Sequence, residues 1–192
     1  MHNLEQRETI IFGGGFSPIH NGHMAIARGC VEYAHEHNAD VWIMPSGDRS
    51  DKTMWETPER RIAGIKVMIA EVAMEGVTID IITTELERSI QIETFDTFLE
   101  LQDEYPDRTF TWVFGADSTM TMAEWYMGEW MLENLSMLVT ERPGYTLNPI
   151  ARHALTLAIP SLNISSTMVR ERIAAGEPIE DLCGPGIAAL YA

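Results

Sequence analysis

The stretch TIIFGGGFSPIHNGH, residues 9–23, decides the fold because it describes a strand, a glycine turn and a helix start in succession. Thr9 to Phe12 is a short apolar run, which is typical of a buried strand, and three glycines end it. From Gly22 to about His35, apolar residues recur at helical spacing and predict a helix just after the turn. A strand followed at once by a helix is the repeating unit of a parallel α/β sheet.

The rest of the chain continues this alternation, and no linker divides it. Val41 to Met44 predicts a second buried strand, and Thr57-Pro58 predicts the N-cap and first residue of a helix. The pattern as a whole predicts a Rossmann-like, doubly wound parallel sheet in a single domain spanning residues 1–192, with ligands at the carboxyl ends of its strands. Further strands are predicted near residues 77–81, 110–114, 138–139 and 155–159, and further helices near 94–104, 125–133 and 166–174 and after Gly184-Pro185-Gly186.

Composition and charge narrow the class of partner. The formal net charge is −16, from 13 basic and 29 acidic residues, and such a surface repels nucleic acid and anionic membranes. No apolar run approaches the roughly 20 residues of a membrane-spanning helix, and the polar start does not match a targeting peptide, which favours the cytoplasm. A bound triphosphate would have to be held by locally concentrated donors, together with a divalent cation.

The glycine turn and the helix after it are predicted to bind phosphate. Because positions 13–15 carry no side chains, their backbone N–H groups can approach an anion closely, and the backbone can adopt conformations that other residues resist. The helix start adds unpaired N–H groups and the positive end of the helix dipole. His20 and His23 lie three residues apart at that start, so both imidazoles can face one anion. The alternative is a tight turn followed by capping or surface histidines. Metal binding by this pair would lack a third ligand at a suitable spacing, so no protein metal site is predicted.

A second anion site is predicted at residues 164–172, ISSTMVRER. Ser165 and Ser166 are N-cap candidates for a helix. Side chains lean toward a helix N-terminus, so Arg170 can reach back over Ser166 and Thr167 and place a cation beside exposed N–H groups. The alternative is an ordinary capped helix with a solvated arginine.

Both segments carry a family resemblance. GGGFSPIHNGH resembles the GxFxPxHxGH motif of the HxGH nucleotidyltransferases, and ISSTMVRER resembles their ISSTxxR motif, in the same order. The resemblance implies that His20, His23 and Arg170 are catalytic, stabilising charge while the α-phosphate is attacked and pyrophosphate leaves. Ser17 stands where most members carry aspartate. The ATP-binding residues that the resemblance implies are Gly13, Gly14, Gly15, Phe16, His20, His23, Gly115, Asp117, Ile164, Ser165, Ser166, Thr167 and Arg170.

The likeness to the bacterial-type nicotinate-nucleotide adenylyltransferase family runs over nearly the whole length. MPSG at 44–47, GADS at 115–118, WY at 125–126 and ERPGY at 141–145 are similar to segments of that family. The resemblance implies Mg²⁺ bound with ATP, and a pyridine mononucleotide as the second substrate, held by Ser46, Lys52, Thr94, Trp125, Tyr126 and Arg142. From the residues alone, Trp125 is equally compatible with core packing, and Asp117 with capping the segment that follows it.

The chain departs from the family pattern at two places. Arg49-Ser50-Asp51-Lys52 replaces PPHK, and Ile92-Glu93 replaces the Ser-Tyr pair before Thr94. An acidic Glu93 beside a ring carboxylate is unfavourable, which leaves nicotinamide mononucleotide open as the acceptor. Pantetheine-phosphate adenylyltransferase, a cytidylyltransferase and a non-catalytic nucleotide sensor stay as alternatives. The oligomeric state is also open, including a homo-oligomer.

Overall fold

The computed structural model describes residues 6–47, 54–88, 93–141, 144–160 and 162–192. Its strands are β1 (Arg7–Gly14), β2 (Asp40–Pro45), β3 (Ile79–Ile81), β4 (Arg108–Gly115), β5 (Ser136–Thr140) and β6 (Ala154–Leu157). Its helices are α1 (Asn21–His37), α2 (Pro58–Val72), α3 (Thr94–Glu104), α4 (Ala116–Thr121), α5 (Gly128–Asn134), α6 (Ser166–Ala175) and α7 (Glu180–Ala188), with a 3-10 turn at Met122–Glu124.

The strands form one sheet in the order β3-β2-β1-β4-β5-β6, with every neighbouring pair parallel. This is the strand order of the doubly wound Rossmann fold. The chain builds the sheet outward from β1 to β3, returns to the other side of β1, and then builds outward from β4 to β6. The predicted fold class is therefore confirmed. All six residues of β2 and the middle of β1 are buried, as expected for strands that are covered on both faces.

Local sequence signals set several boundaries where they were predicted. The hydroxyl of Thr57 accepts a hydrogen bond from the N–H of Arg60 at 3.4 Å, and Pro58 begins α2. At the end of α1, Asn38 adopts the left-handed conformation at φ 53° that commonly ends a helix. Separate apolar clusters lie on the two faces of the sheet, one beneath α1 and α2 and the other beneath α3 and α5.

Two predicted helix boundaries were wrong. The helix predicted over residues 125–133 begins only at Gly128, because Met127 has a φ of 55° and breaks the helical path. A Cβ on Gly128 would lie 1.6 Å from the carbonyl oxygen of Met122, so this turn requires glycine. Near the end of the chain, α7 starts before the glycines rather than after them, and Gly184 at φ 75° kinks the helix.

The amino ends of the strands carry a polar cluster that holds the sheet together. The carboxylate of Asp40 accepts from Arg7 at 2.7 Å and from Arg108 at 2.8 Å. Arg108 also donates to the hydroxyl of Thr9. Among the residues that the structure describes, no helix is both long and apolar enough to span a membrane.

Candidate functional site

The candidate site lies at the carboxyl ends of β1 and β4, where the strand order reverses. Gly14 ends β1 and Gly115 ends β4, so the two glycine turns of the sequence meet at the same edge of the sheet. This is where a doubly wound sheet opens a crevice for a ligand.

His20 and His23 lie together at the start of α1. Their ring centroids are 3.9 Å apart, and His20 is 8% exposed. Nδ1 of His20 accepts from the N–H of Gly22 at 3.1 Å, while Nδ1 of His23 accepts from the N–H of His20 at 3.3 Å. Because both Nδ1 atoms act as acceptors, the neutral rings carry their proton on Nε2. Both histidines therefore present a donor on the side of the ring away from the helix backbone.

The capping alternative and the phosphate-binding hypothesis prove compatible for His20. It is the N-cap of α1, with an extended backbone at φ −143° and ψ 172°. Capping uses Nδ1 alone and fixes the ring's tautomer and direction, which is what a preorganised donor to an anion needs.

The three glycines do not adopt left-handed conformations, the kind that other residues resist. None of Gly13, Gly14 and Gly15 has a φ in that region, and Phe16 has one instead, at 45°. Gly14 serves close packing, because a Cβ at that position would lie 3.2 Å from the Phe16 ring. That ring is 1% exposed, and its centroid lies 5.2 Å from that of the His23 imidazole, so the phenyl ring packs against the histidine.

The second phosphate segment docks directly on the first. Ser166 donates from its hydroxyl to the carbonyl oxygen of Pro18 at 2.8 Å, and Arg170 donates to the carbonyl oxygen of Ser17 at 2.9 Å. The other terminal nitrogen of Arg170 donates to Thr167 at 2.8 Å, as predicted. Ser165 is the N-cap of α6 and accepts from the N–H of Met168. The two predicted anion-binding helix starts therefore converge, within a few residues of His20.

Ser17, at the position where the sequence departs from the expected aspartate, makes two hydrogen bonds to the loop before α2. Its hydroxyl oxygen accepts from the N–H of Trp55 at 3.1 Å and of Glu56 at 3.0 Å. The loop before α2 is thereby fastened to the phosphate loop. Glu56 is 7% exposed, and burial raises the pKa of its carboxyl, against the opposing effects of the Tyr191 hydroxyl and of the charges on Arg60 and Arg61.

Arg61 lies beside the candidate site and was not predicted from the sequence. It lies on α2, is 1% exposed, and donates from Nη1 to the carbonyl oxygens of Gly15 at 3.2 Å and Ser46 at 2.7 Å. The only available signal was its position four residues before buried Ile65 and seven before buried Met68, which places it on the inner face of the helix.

Four of the six residues predicted to hold the mononucleotide are described, and they lie beside this edge of the sheet. Ser46 follows β2 and donates its N–H to the carbonyl oxygen of Gly14 at 2.8 Å. Thr94 is the half-buried first residue of α3, and its neighbour Phe95 makes an edge contact with Tyr126 at 5.9 Å. Half-buried Trp125 makes an edge contact with Phe114, at the end of β4. Lys52 and Arg142, and the altered segment at residues 49–52, lie outside the described residues.

The remaining predicted ATP-binding residues occupy the same region. Asp117 is half-buried in the first turn of α4, and the N-cap of that helix is Gly115. Ile164 is half-buried against the apolar cluster beneath α1 and α2. Glu93, which departs from the family pattern, is exposed at the start of α3. Within the described ranges, no three His, Cys, Asp or Glu side chains come together as a protein metal site would need.

Comparison with known proteins gives three kinds of match. A family model described as cytidylyltransferase-like matches residues 11–172. A protein of Bacillus cytotoxicus named probable nicotinate-nucleotide adenylyltransferase is 34% identical over 166 residues, covering 84% of this chain and 83% of the relative. A protein of the same name from Halalkalibacterium halodurans is 31% identical over 175 residues, covering 90% of this chain and 82% of the relative.

Solved structures share the fold at lower identity. The Plasmodium falciparum nicotinic acid mononucleotide adenylyltransferase complexed with NaAD superposes with a TM-score of 0.80 at 20% identity, over 96% of this chain and 94% of that one. A putative nicotinate-nucleotide adenylyltransferase of Vibrio parahaemolyticus superposes with a TM-score of 0.67 at 21% identity, over 96% and 98%.

Proposed function

Because the chain belongs to the nicotinate-nucleotide adenylyltransferase family of cytidylyltransferase-like nucleotidyltransferases, we propose that it transfers the adenylyl group of ATP to nicotinate mononucleotide. The products are the dinucleotide and pyrophosphate. One observation carries the site assignment: Ser166 and Arg170 of α6 bond the Ser17-Pro18 backbone, beside His20. Two helix starts, a cation and two imidazoles thus lie at one place, an arrangement suited to binding a polyphosphate.

The reaction needs no general base. A phosphate monoester has a second pKa of about 6 and is already mostly ionised at neutral pH. Its oxygen attacks the α-phosphorus of ATP and forms a new P–O bond. The bond from the α-phosphorus to the bridging oxygen breaks, and that oxygen leaves with its electron pair as part of pyrophosphate. Catalysis then consists of in-line positioning and stabilisation of charge.

His20, His23 and Arg170 are assigned the stabilisation of that charge. Each imidazole has its tautomer set by a backbone N–H on Nδ1, so Nε2–H is the group that we assign as the donor to a phosphate oxygen. Arg170 is held by Ser17 and Thr167 and needs little reorganisation when charge develops. Lys52 is proposed to assist.

Mg²⁺ is proposed to arrive bound to the triphosphate. An ion that travels with ATP is coordinated mainly by phosphate oxygens and water. When bound, the ion neutralises part of the negative charge of the triphosphate in a protein whose net charge is −16.

Nicotinate rather than nicotinamide mononucleotide is the proposed acceptor. Glu93, the residue that argued for the amide, is exposed, and water and salt weaken its repulsion of a ring carboxylate. The half-buried Trp125 and the neighbouring Tyr126 supply the aromatic surface that a pyridine ring needs. We further propose that residues 1–192 act as a single domain, since all the described strands share one sheet.

The test is pyrophosphate release with ATP and Mg²⁺ against nicotinate mononucleotide, nicotinamide mononucleotide and phosphopantetheine, and with CTP in place of ATP. We expect turnover with ATP and nicotinate mononucleotide. His23→Ala should slow it about 100-fold, the effect of losing one fixed donor worth about 3 kcal/mol in the transition state. An unchanged rate in a folded His20→Ala/His23→Ala variant would refute the assigned roles. Nucleotide binding without pyrophosphate release would identify a sensor instead.

A further inference from the structure

Arg61 joins the two loops that carry the proposed ATP and acceptor sites. Its Nη1 atom donates to the carbonyl oxygen of Gly15, in the phosphate loop, and to that of Ser46, in the loop after β2. The loops are also paired directly, since Ser46 donates its N–H to the carbonyl oxygen of Gly14. The buried guanidinium therefore holds these two loops together at the carboxyl ends of β1 and β2.

The orientation of the two peptide units follows from these bonds. The peptide bonds from Gly15 to Phe16 and from Ser46 to Gly47 are trans, so each N–H points away from the carbonyl oxygen of its own unit. Since both oxygens point at Arg61, the N–H groups of Phe16 and Gly47 point away from it. Each peptide dipole has its negative end on the cation and its positive end on the far side.

The space around the second loop leaves it little freedom. A Cβ on Gly47 would lie 2.3 Å from the backbone carbonyl oxygen of Glu85, which fixes this loop against the segment that leads toward α3. The side chain of Arg61 and the backbone of Glu85 thus both confine the peptide unit between Ser46 and Gly47. A fixed N–H dipole stabilises an anion without the cost of reorganising it.

On this basis, and resting on the adenylyl transfer proposed above, we propose that Arg61 is a positioning residue for the reaction. By holding the carbonyl oxygens of Gly15 and Ser46, it directs the N–H groups of Phe16 and Gly47 at the phosphates of the two substrates. It also fixes the distance between the two loops, and with it the distance between the attacking oxygen of the mononucleotide and the α-phosphorus of ATP. A small change in that distance lowers kcat even when both substrates still bind.

Kinetics of two variants test this role. Arg61→Met removes the charge and the donors, and we expect kcat at saturating substrates to fall about 100-fold, with smaller changes in KM. Arg61→Lys keeps a cation with donors, and it should restore part of the lost kcat. Arg108→Met is the matched control: it removes a largely buried arginine that bonds Asp40 and Thr9 at the opposite end of the sheet. It should lower thermal stability while leaving the kcat of the folded enzyme unchanged.

A measurement on the unmodified protein keeps the proposal testable if an Arg61 variant does not fold or if the acceptor is wrong. Backbone amide NMR signals of Phe16 and Gly47 should shift strongly on saturation with α,β-methylene-ATP and nicotinate mononucleotide together, or with inorganic tripolyphosphate alone. Turnover equal to wild type in Arg61→Lys and Arg61→Met would overturn the proposal. Unresponsive Phe16 and Gly47 amides at saturation would do the same. Responsive amides without pyrophosphate release would contradict only the proposed function.

Discussion

Gly22 leaves room for the His20 imidazole to lie against the first turn of α1. A Cβ at this position would lie 2.8 Å from Cε1 and 2.9 Å from Nδ1 of that ring. Gly22→Ala should therefore rotate His20 off its cap, and we expect kcat to fall about 10-fold or more. Stability should change by no more than about 1 kcal/mol, because the helix propensity gained with alanine offsets the lost cap.

The effect of Gly22→Ala can be assigned to His20 with a double-mutant cycle. If the added methyl group acts through the imidazole, Gly22→Ala will have little effect on kcat in a His20→Ala background. Additive losses in the double variant would mean that the methyl group blocks the phosphate itself. Chemical denaturation of all four proteins separates either result from unfolding.

The burial of Glu56 predicts that the free energy of unfolding depends on pH. Its carboxyl is buried, and burial raises its pKa above the ordinary value near 4.5. A raised pKa means that the folded state favours the protonated form, so this contribution to stability is present below about pH 4.5 and is lost as the pH rises through the folded-state pKa. Glu56→Gln keeps an oxygen that can accept from Tyr191 and removes the ionisation. Relative to wild type, the variant should gain unfolding free energy as the pH rises from 4 to 8, as measured by urea denaturation. A constant difference across that range would contradict the prediction.

The residues that the sequence identified and those that it missed differ in how they reach the site. His20 and His23 follow β1 directly, so local order alone predicted their neighbourhood. Arg61 depends on the phase of α2, and the spacing of Ile62, Ile65, Ile69 and Val72 in the sequence favours a buried face that does not include position 61. The buried positions include Arg61 and Gly64, which contribute no apolar signal. The sequence therefore predicted the helix correctly but not its most buried cation.

Docking of α6 onto the phosphate loop is the contact between elements on which the site depends. Ser166→Ala removes the hydroxyl that reaches Pro18. Unfolding free energy should fall by about 1 kcal/mol, and kcat/KM for ATP should also fall because the two helix starts lose their registration. Thr57→Ala is the matched control, since it removes a hydroxyl hydrogen bond at the start of α2. It should have a similar cost in stability without the loss of kcat/KM. Equal kinetics for the two variants would show that the Ser166 contact is only structural.

Order along the chain predicted the sheet better than the connections between elements. Alternating strands and helices, with short turns, leave few topologies for a parallel sheet, and the Rossmann order followed. The 3-10 turn and the displaced start of α5 were missed because Met127, a residue other than glycine, adopts a φ of 55° just before α5. No local sequence pattern predicts a positive φ at a methionine, whereas a glycine or an N-cap residue indicates its own position in the sequence.

At the scale of the whole molecule, residues 190–191 return to the loop that supports the phosphate site. The hydroxyl of Tyr191 donates to the buried carboxylate of Glu56 at 2.5 Å, and its ring lies 4.7 Å beneath the guanidinium of Arg60. Burial and the nearby carboxylate both raise the pKa of Tyr191, so this hydroxyl remains a donor at neutral pH. Because Glu56 donates its N–H to Ser17, this contact connects the last residues of the sequence to the phosphate loop near its start.

Tyr191→Phe removes that hydroxyl alone and leaves the ring beneath Arg60. The buried carboxylate then loses a charged hydrogen bond, so unfolding free energy should fall by about 1.5–3 kcal/mol at neutral pH. The loss should shrink toward pH 4, where Glu56 becomes protonated, and it should be smaller in a Glu56→Gln background. Tyr33→Phe is the control, since the hydroxyl of Tyr33 makes no hydrogen bond within the described residues and its ring stacks on His37. Equal losses for the two tyrosine variants in urea denaturation would show that the bond to Glu56 contributes nothing to the fold around the phosphate site.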